Sequence, residues 1–142
     1  MEHSELLFEF FERQIPFNKH LGMTIDALNK GFCRLKIPFA DHLVGDASRP
    51  ALHGGVISTI ADTAGGLAAF TSIDIGTHAV STVDLRVDYM RRGLLQDIFC
   101  DATVRRTGNR VCATSMVVHH GNPDEYVCAE ARGVYNIHRR RE

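Results

Sequence analysis

The chain has 142 residues, 16 Lys and Arg against 17 Asp and Glu, a net charge of -1 with neutral histidines, and 44% hydrophobic residues. This length suits one domain, expected over 1–142, with enough apolar chain to bury a core. The near-neutral charge excludes a global field that would recruit nucleic acid or an anionic membrane, so small ligands or protein partners are expected.

Acidic Glu2 and Glu5 stand where a secretory signal would carry basic residues, and no apolar run reaches the ~18 residues that cross a bilayer. A cytoplasmic protein without membrane contact is expected. Cys33, Cys100, Cys112 and Cys128 are scattered with no C-x-x-C pair, which points to buried reduced thiols rather than zinc ligands or disulfides.

In chain order, residues 4–14 combine Ser4 as an N-cap with a stripe of Leu6, Leu7, Phe10 and Phe11, predicting a short amphipathic helix. After Pro16, residues 23–28 and 32–37 read as a β-hairpin around Asn29-Lys30-Gly31, with Cys33, Leu35 and Ile37 alternating against Phe32, Arg34 and Lys36. Pro38 ends the second strand. Residues 39–52 show no periodicity, and a structureless connection of that length predicts a pocket wall or lid.

Residues 53–70 predict the long helix around which the rest is wrapped. Val56, Ile57, Ile60, Ala61, Ala64, Leu67 and Ala68 recur at spacings of three and four, and the small residues between them leave no strongly polar face, so the helix is expected to be buried. At ~1.5 Å per residue it spans roughly 27 Å, the width of a small domain. Beyond it, residues 77–90 predict a long strand with Asp84, Arg86 and Asp88 alternating against Val83, Leu85, Val87 and Tyr89. Residues 98–105 and 110–119 predict two strands joined by a Gly108-Asn109 turn, and residues 126–137 the last. Long strands with tight turns predict an α+β fold: a curved antiparallel sheet wrapped around a long central helix, with an N-terminal helix outside.

Asp62 is the only charged residue between His53 and Ile73. A carboxylate in a low-dielectric setting needs partners or a raised pKa, so Asp62 is either a hydrogen-bonded structural group or one kept for chemistry. Gly54 and Gly55 open the first-turn N–H groups at the positive end of the helix dipole, where a carbonyl oxygen or an anion could dock; alternatively they only permit a tight approach of the preceding loop. Eight helical residues separate Gly54 from Asp62 by ~12 Å, too far for both to reach one reacting carbon, so a partner helix across a two-fold axis is expected to complete each site. His119 and His120 are strand neighbours pointing to opposite faces and cannot share a metal, and no metal or cofactor site is expected. The Arg-Arg pairs at 91–92 and 105–106 read as solvated turn residues or as ligands for an anion.

His53-Gly54-Gly55, then Asp62, then the strand Val80-Ser81-Thr82-Val83-Asp84-Leu85-Arg86-Val87-Asp88-Tyr89-Met90 resemble the hotdog-fold acyl-CoA thioesterases of the phenylacetate-pathway (PaaI-like) type, within the 4-hydroxybenzoyl-CoA thioesterase superfamily. The resemblance covers roughly residues 20–138. It implies an acyl-CoA substrate and a homodimer or a dimer of dimers. The Gly54 N–H would polarise the thioester carbonyl, Asp62 of a partner subunit would act as base or nucleophile, and His53 and Thr82 would line the site. Gly55 would lie against the substrate, with Arg91 and Arg92 as candidates for the CoA phosphates. One departure is clear: family members often carry an Asn shortly before H-G-G, whereas this loop, Gly45-Asp-Ala-Ser-Arg-Pro-Ala-Leu52, has none, leaving Asp46, Ser48 or Arg49 in its place. The rival of another class is a non-catalytic acyl-CoA binder, which would need the pocket but no reactive carboxylate. Phe8, Phe10, Phe11 and Phe70 either bound an acyl pocket or fill the core.

Overall fold

The computed structural model describes residues 2–141, so Met1 and Glu142 of the expected 1–142 domain lie outside the described residues. Helix α1 (His3–Phe8) is capped by Glu2 rather than Ser4, and the Glu2 N–H donates to Glu5 Oε2 at 3.3 Å. It runs into a π-helical turn, Glu9–Gln14, and after Ile15 comes a second helix, α2 (Pro16–Leu21), in a stretch for which the sequence pattern predicts no element. Pro16 starts this helix instead of ending one, because the first helical position needs no N–H and wants the φ that the pyrrolidine ring fixes. Gly22, at φ 68, closes α2 in the left-handed region that favours glycine.

Strands β1 (Thr24–Asn29) and β2 (Phe32–Ile37) form the predicted hairpin, with Gly31 at φ 78 in its turn. Residues 39–52 are not structureless: a 3-10 turn (Asp41–Leu43) leads into β3 (Val44–Asp46), which pairs antiparallel with β4 (Ala51–Leu52). Such short strands have no room for an alternating pattern, so the sequence could not announce them. Helix α3 (Gly54–Phe70) is next, then β5 (His78–Tyr89), β6 (Ile98–Thr107), β7 (Val111–His119) and β8 (Val127–Arg139).

Six strands form one antiparallel sheet in the order β1-β2-β6-β7-β8-β5, and α3 packs across it. The register lines up the inward side chains: Leu35 faces Cys100, Cys100 faces Val118 and Val118 faces Ala129, all buried. This carpet of small and medium residues meets Ile57, Ile60, Ala61, Ala64, Leu67 and Ala68 of α3, each at most 2% exposed. Burying a Leu or Ile contributes about 1.5–3 kcal/mol, so the helix is fixed mainly by this one face. All four cysteines are free and buried, and burial pushes the Cys33 thiol up to about 12 and Cys128 to about 11.

Two expectations change here. The opposite face of α3 is not apolar, for Ser58, Thr59, Asp62, Thr63 and Gly66 are only partly covered and make a polar stripe along it. The alternation of β5 also breaks: Thr82 pairs with Tyr135 and Asp84 with the next residue, Val134, so Val83 is the extra residue of a bulge and stands 63% exposed. β5 is moreover an edge of the sheet, twelve residues long and mostly uncovered.

Candidate active site

Asp62 lies on the open stripe of α3, half-buried in the wall of a cleft of about 590 Å³ rather than in the dry core. Strand β5 forms the facing wall, and the π-helical turn and α2 close one side with Phe10, Phe11 and Phe17. The carboxylate is held from two neighbouring strands. Thr82, next to the β5 bulge, donates its hydroxyl to Asp62 Oδ1 at 2.8 Å. Tyr135 of β8 donates to the backbone carbonyl of Asp62 at 2.9 Å, and its hydroxyl stands 3.4 Å from Oδ1. Oδ2 has no hydrogen-bond partner among the described residues.

Tyr135 was absent from the sequence expectations, yet it is 1% exposed and is the buried support of the carboxylate. Burial, with the Asp62 carboxylate beside it, pushes the phenol well above its ordinary pKa, so it remains a donor. Its seat is cut by two glycines. A Cβ on Gly65 of α3 would stand 2.2 Å from the Tyr135 hydroxyl, and one on Gly133 would stand 2.5 Å from Cε2 of its ring. The signal was present: Gly65-Gly66 in a helix interior costs about 1 kcal/mol per glycine relative to Ala, and such a cost has a packing reason.

The other predicted residues gather at the start of α3. His53 is the N-cap, and its Nδ1 accepts the Gly55 N–H at 2.8 Å, which in the neutral ring places the proton on Nε2. His53 therefore holds the first turn by position, and the Gly55 donor is already engaged. The Val56 N–H returns to the His53 carbonyl at 2.9 Å, leaving the Gly54 N–H without a partner among the described residues. The His53 N–H donates to the Leu43 carbonyl at 2.8 Å, and a Cβ on Gly45 would stand 2.6 Å from the His53 Cα, so β3 packs directly on the helix start. Tyr89, at the end of β5, donates to the Gly54 carbonyl at 3.1 Å and is hydrogen-bonded to Ser58.

A second cleft, of about 400 Å³, opens beside Gly54 and is lined by Arg49, Tyr89, Arg91 and Arg92. Three guanidinium groups beside a helix N-terminus make a positive rim suited to an anion. Arg91 also lies over the Tyr126 ring, 5.4 Å from its centroid. Of the loop residues that are candidates for the role of the family's Asn, Asp46 turns back to accept from the Ser48 hydroxyl and backbone N–H at 2.6 and 3.0 Å, while Arg49 faces this cleft. Within one chain, then, Asp62 and Thr82 meet in the first cleft and Gly54, Arg91 and Arg92 in the second, with His53 and Gly55 at the helix start between loop and helix. The two clefts share no lining residue.

His119 and His120 diverge as strand neighbours must. His119, fully buried, lies 3.0 Å from Asp101 through Nε2 and accepts the Gly121 N–H at Nδ1, while Arg34 grips Asp101 with two bonds of 2.6 and 2.9 Å. Both ring nitrogens of His119 are engaged, which makes this cluster structural. His120 instead pins the turn after β5, accepting the Leu94 N–H at 2.9 Å and bonding the Asp97 carbonyl at 2.8 Å. Among the described residues no three His, Cys, Asp or Glu side chains cluster as a metal site would, and no helix is long and apolar enough to cross a membrane.

The family model described as the Thioesterase superfamily matches residues 50–127, the span from the loop before His53 to the first residue of β8. The medium/long-chain acyl-CoA thioesterase YigI of Escherichia coli is 30% identical over 145 residues, covering 94% of this chain and 92% of that protein. Among solved structures, a Shewanella oneidensis protein related to the thioesterase superfamily is 29% identical with a TM-score of 0.78, over 96% of this chain and 97% of that one. A thioesterase family protein from Silicibacter pomeroyi has the same fold, with a TM-score of 0.86 at 23% identity over 96% and 98% of the two chains.

Proposed function

The chain belongs to the thioesterase superfamily, with the hotdog fold and the activity of a thioester hydrolase, and from that premise we propose that it hydrolyses acyl-CoA thioesters at sites built by two copies of the chain. The observation that carries this reading is the Asp62 carboxylate, fixed through Oδ1 by Thr82 with Tyr135 behind it and presenting Oδ2 to a largely apolar cleft. A binder of acyl-CoA has no use for a carboxylate oriented in this way.

The chemistry asked of the site is acyl transfer to water. Asp62 either draws a proton from a water that adds to the carbonyl carbon or attacks that carbon itself, and the same oxygen serves both routes. Negative charge then collects on the carbonyl oxygen, where the open Gly54 N–H at the positive end of α3 would stabilise it; loss of one such donor typically costs 10²-fold or more in rate. Collapse of the intermediate expels the CoA thiolate, which takes a proton; on the water route this releases the acid directly, and on the nucleophilic route it leaves an acyl-Asp62 anhydride that a water then hydrolyses to the acid and free Asp62.

Gly54 and Asp62 of one helix are ~12 Å apart along its axis, so the donor comes from a partner. The exposed edge strand β5, bearing Val83 and Tyr89 at 63% and 54% exposure beside the open stripe of α3, is a template for strand pairing between two copies. Pairing there would bring the Gly54 end of one α3 toward Asp62 of the other, giving a homodimer or a dimer of dimers with two composite sites per pair. Arg49, Arg91 and Arg92 beside Gly54 suit the phosphates of CoA, and the phenylalanines beside Asp62 suit a medium or long acyl chain such as the name of the E. coli relative states for that protein. Four buried free thiols fit a reducing, cytoplasmic setting.

The test is a panel of acyl-CoA esters with a free-thiol readout, applied to wild type and Asp62→Asn. Release of CoA that falls at least ~100-fold in Asp62→Asn, with ligand binding retained, is the expected result. Near-normal turnover in the variant would remove Asp62 from the chemistry, and wild-type binding without turnover would favour the binder.

A further inference from the structure

We propose that Phe10 gates the length of the acyl chain, an inference that rests on the acyl-CoA reading above. Asp62, Gly66 and Phe70 succeed one another at spacings of four along α3, and all three line the cleft. Gly66 has no side chain, so the wall between the carboxylate and Phe70 is smooth. The eight residues from Asp62 to Phe70 span ~12 Å, the length of an extended chain of roughly nine or ten carbons.

At that depth three rings close the cleft. Phe10 meets Phe11 edge-on at 5.4 Å and Phe70 at 6.0 Å, while Phe11 and Phe70 lie 5.6 Å apart. Beyond them is a further space of about 370 Å³, lined by Leu6, Leu7, Glu9, Gln14 and Ile75, and Phe10, Phe70 and Arg140 border both spaces. The rings are thus a partition rather than a floor. Phe11 and Phe70 are only 6% and 7% exposed and are locked in the core, whereas Phe10 is 36% exposed and has open space on one side. Its backbone is fixed all the same. The Asn18 side chain, 3% exposed, donates to the Phe11 carbonyl at 3.0 Å, and Glu12 accepts the Ile25 N–H at 3.1 Å, anchoring the π-helical turn on both sides. With the turn held, opening the partition requires only rotation of the Phe10 side chain toward its exposed side. Acyl groups up to about ten carbons fit with the gate shut, and longer ones require it open into the rear cavity.

The experiment measures kcat/KM for saturated acyl-CoA esters of increasing length with wild type, Phe10→Ala and Phe10→Trp, each verified as folded by circular dichroism. In wild type, each methylene up to the partition should raise kcat/KM by at most about fourfold, with no further gain beyond it. Phe10→Ala should raise the ratio of sixteen-carbon to ten-carbon activity by at least about tenfold, and Phe10→Trp should move the optimum to shorter chains. A folded Phe10→Ala protein with the wild-type length profile overturns the gate while leaving acyl-CoA hydrolysis standing. Wild type that hydrolyses no acyl-CoA overturns that reading and the gate together, so the two failures are told apart. Should Phe10→Ala fail to fold, Phe10→Trp decides alone: a shift to shorter chains supports the gate and an unchanged profile removes it.

Discussion

Gly65→Ala is the sharpest probe of how the carboxylate is supported, because local and tertiary physics predict opposite signs for it. An exposed helical Gly replaced by Ala gains about 1 kcal/mol from helix propensity. At Gly65 the new Cβ would stand 2.2 Å from the Tyr135 hydroxyl, 2.9 Å from its ring carbon and 3.0 Å from the Thr114 hydroxyl. The ring is also seated closely against the Gly133 backbone, where a Cβ would stand 2.5 Å from Cε2, and its hydroxyl is tied to the Asp62 carbonyl, so little room is left for it to shift. Overpacking of this kind costs about 1–3 kcal/mol, and contacts this short belong at or above the upper end, so a net loss of roughly 2 kcal/mol is expected. Urea denaturation at constant protein concentration measures it as a lower midpoint with an unchanged slope. Displacing the Tyr135 hydroxyl also frees Asp62, so kcat should fall by about tenfold while KM changes little. The double variant Gly65→Ala, Tyr135→Phe removes the nearest clashing atom and should regain part of the stability but none of the activity. A Gly65→Ala protein as stable as wild type, or more so, would refute the seating of Tyr135 against Gly65.

Two further predictions concern assembly and pH. Gly54→Pro deletes the proposed oxyanion donor, and it should fold because proline suits the first helical position and His53 already has the ψ of 133 that a residue before proline prefers. It and Asp62→Asn should each be nearly inactive, yet random mixing by co-refolding should restore about a quarter of wild-type activity per site, since half the dimers are mixed and each has one intact composite site; no recovery in proven heterodimers would refute the two-chain site. Asp101 is pushed up by burial but more strongly down by Arg34 and His119, to about 2, so its stabilisation is complete above the ordinary carboxylate value near 3.8 and is lost as pH falls toward about 2. On the order of 2 kcal/mol should disappear across that window, and denaturation of Asp101→Asn should lack this acid limb; an unchanged limb would refute the assignment.

By itself the sequence determined those features that local pattern and residue chemistry dictate. The buried face of α3 comes from apolar residues at spacings of three and four, the long strands from β-branched alternation, the hairpin from Asn29-Lys30-Gly31, and Asp62 stands out because it alone carries charge in an apolar helix. Pattern could not show the open stripe of α3, because Ser, Thr and Gly are compatible with either a buried or an uncovered face. Nor could it place Tyr135, 73 residues from Asp62 in the chain and brought to it only by the register that sets β5 and β8 side by side. The bulge at Val83 and the short β3–β4 pair likewise arise from how strands are paired, not from the preferences of the residues in them. Helix geometry, legible in the sequence, holds Gly54 and Asp62 ~12 Å apart whatever surrounds them; only packing decided what stands opposite each end and so opened two separate clefts on one chain.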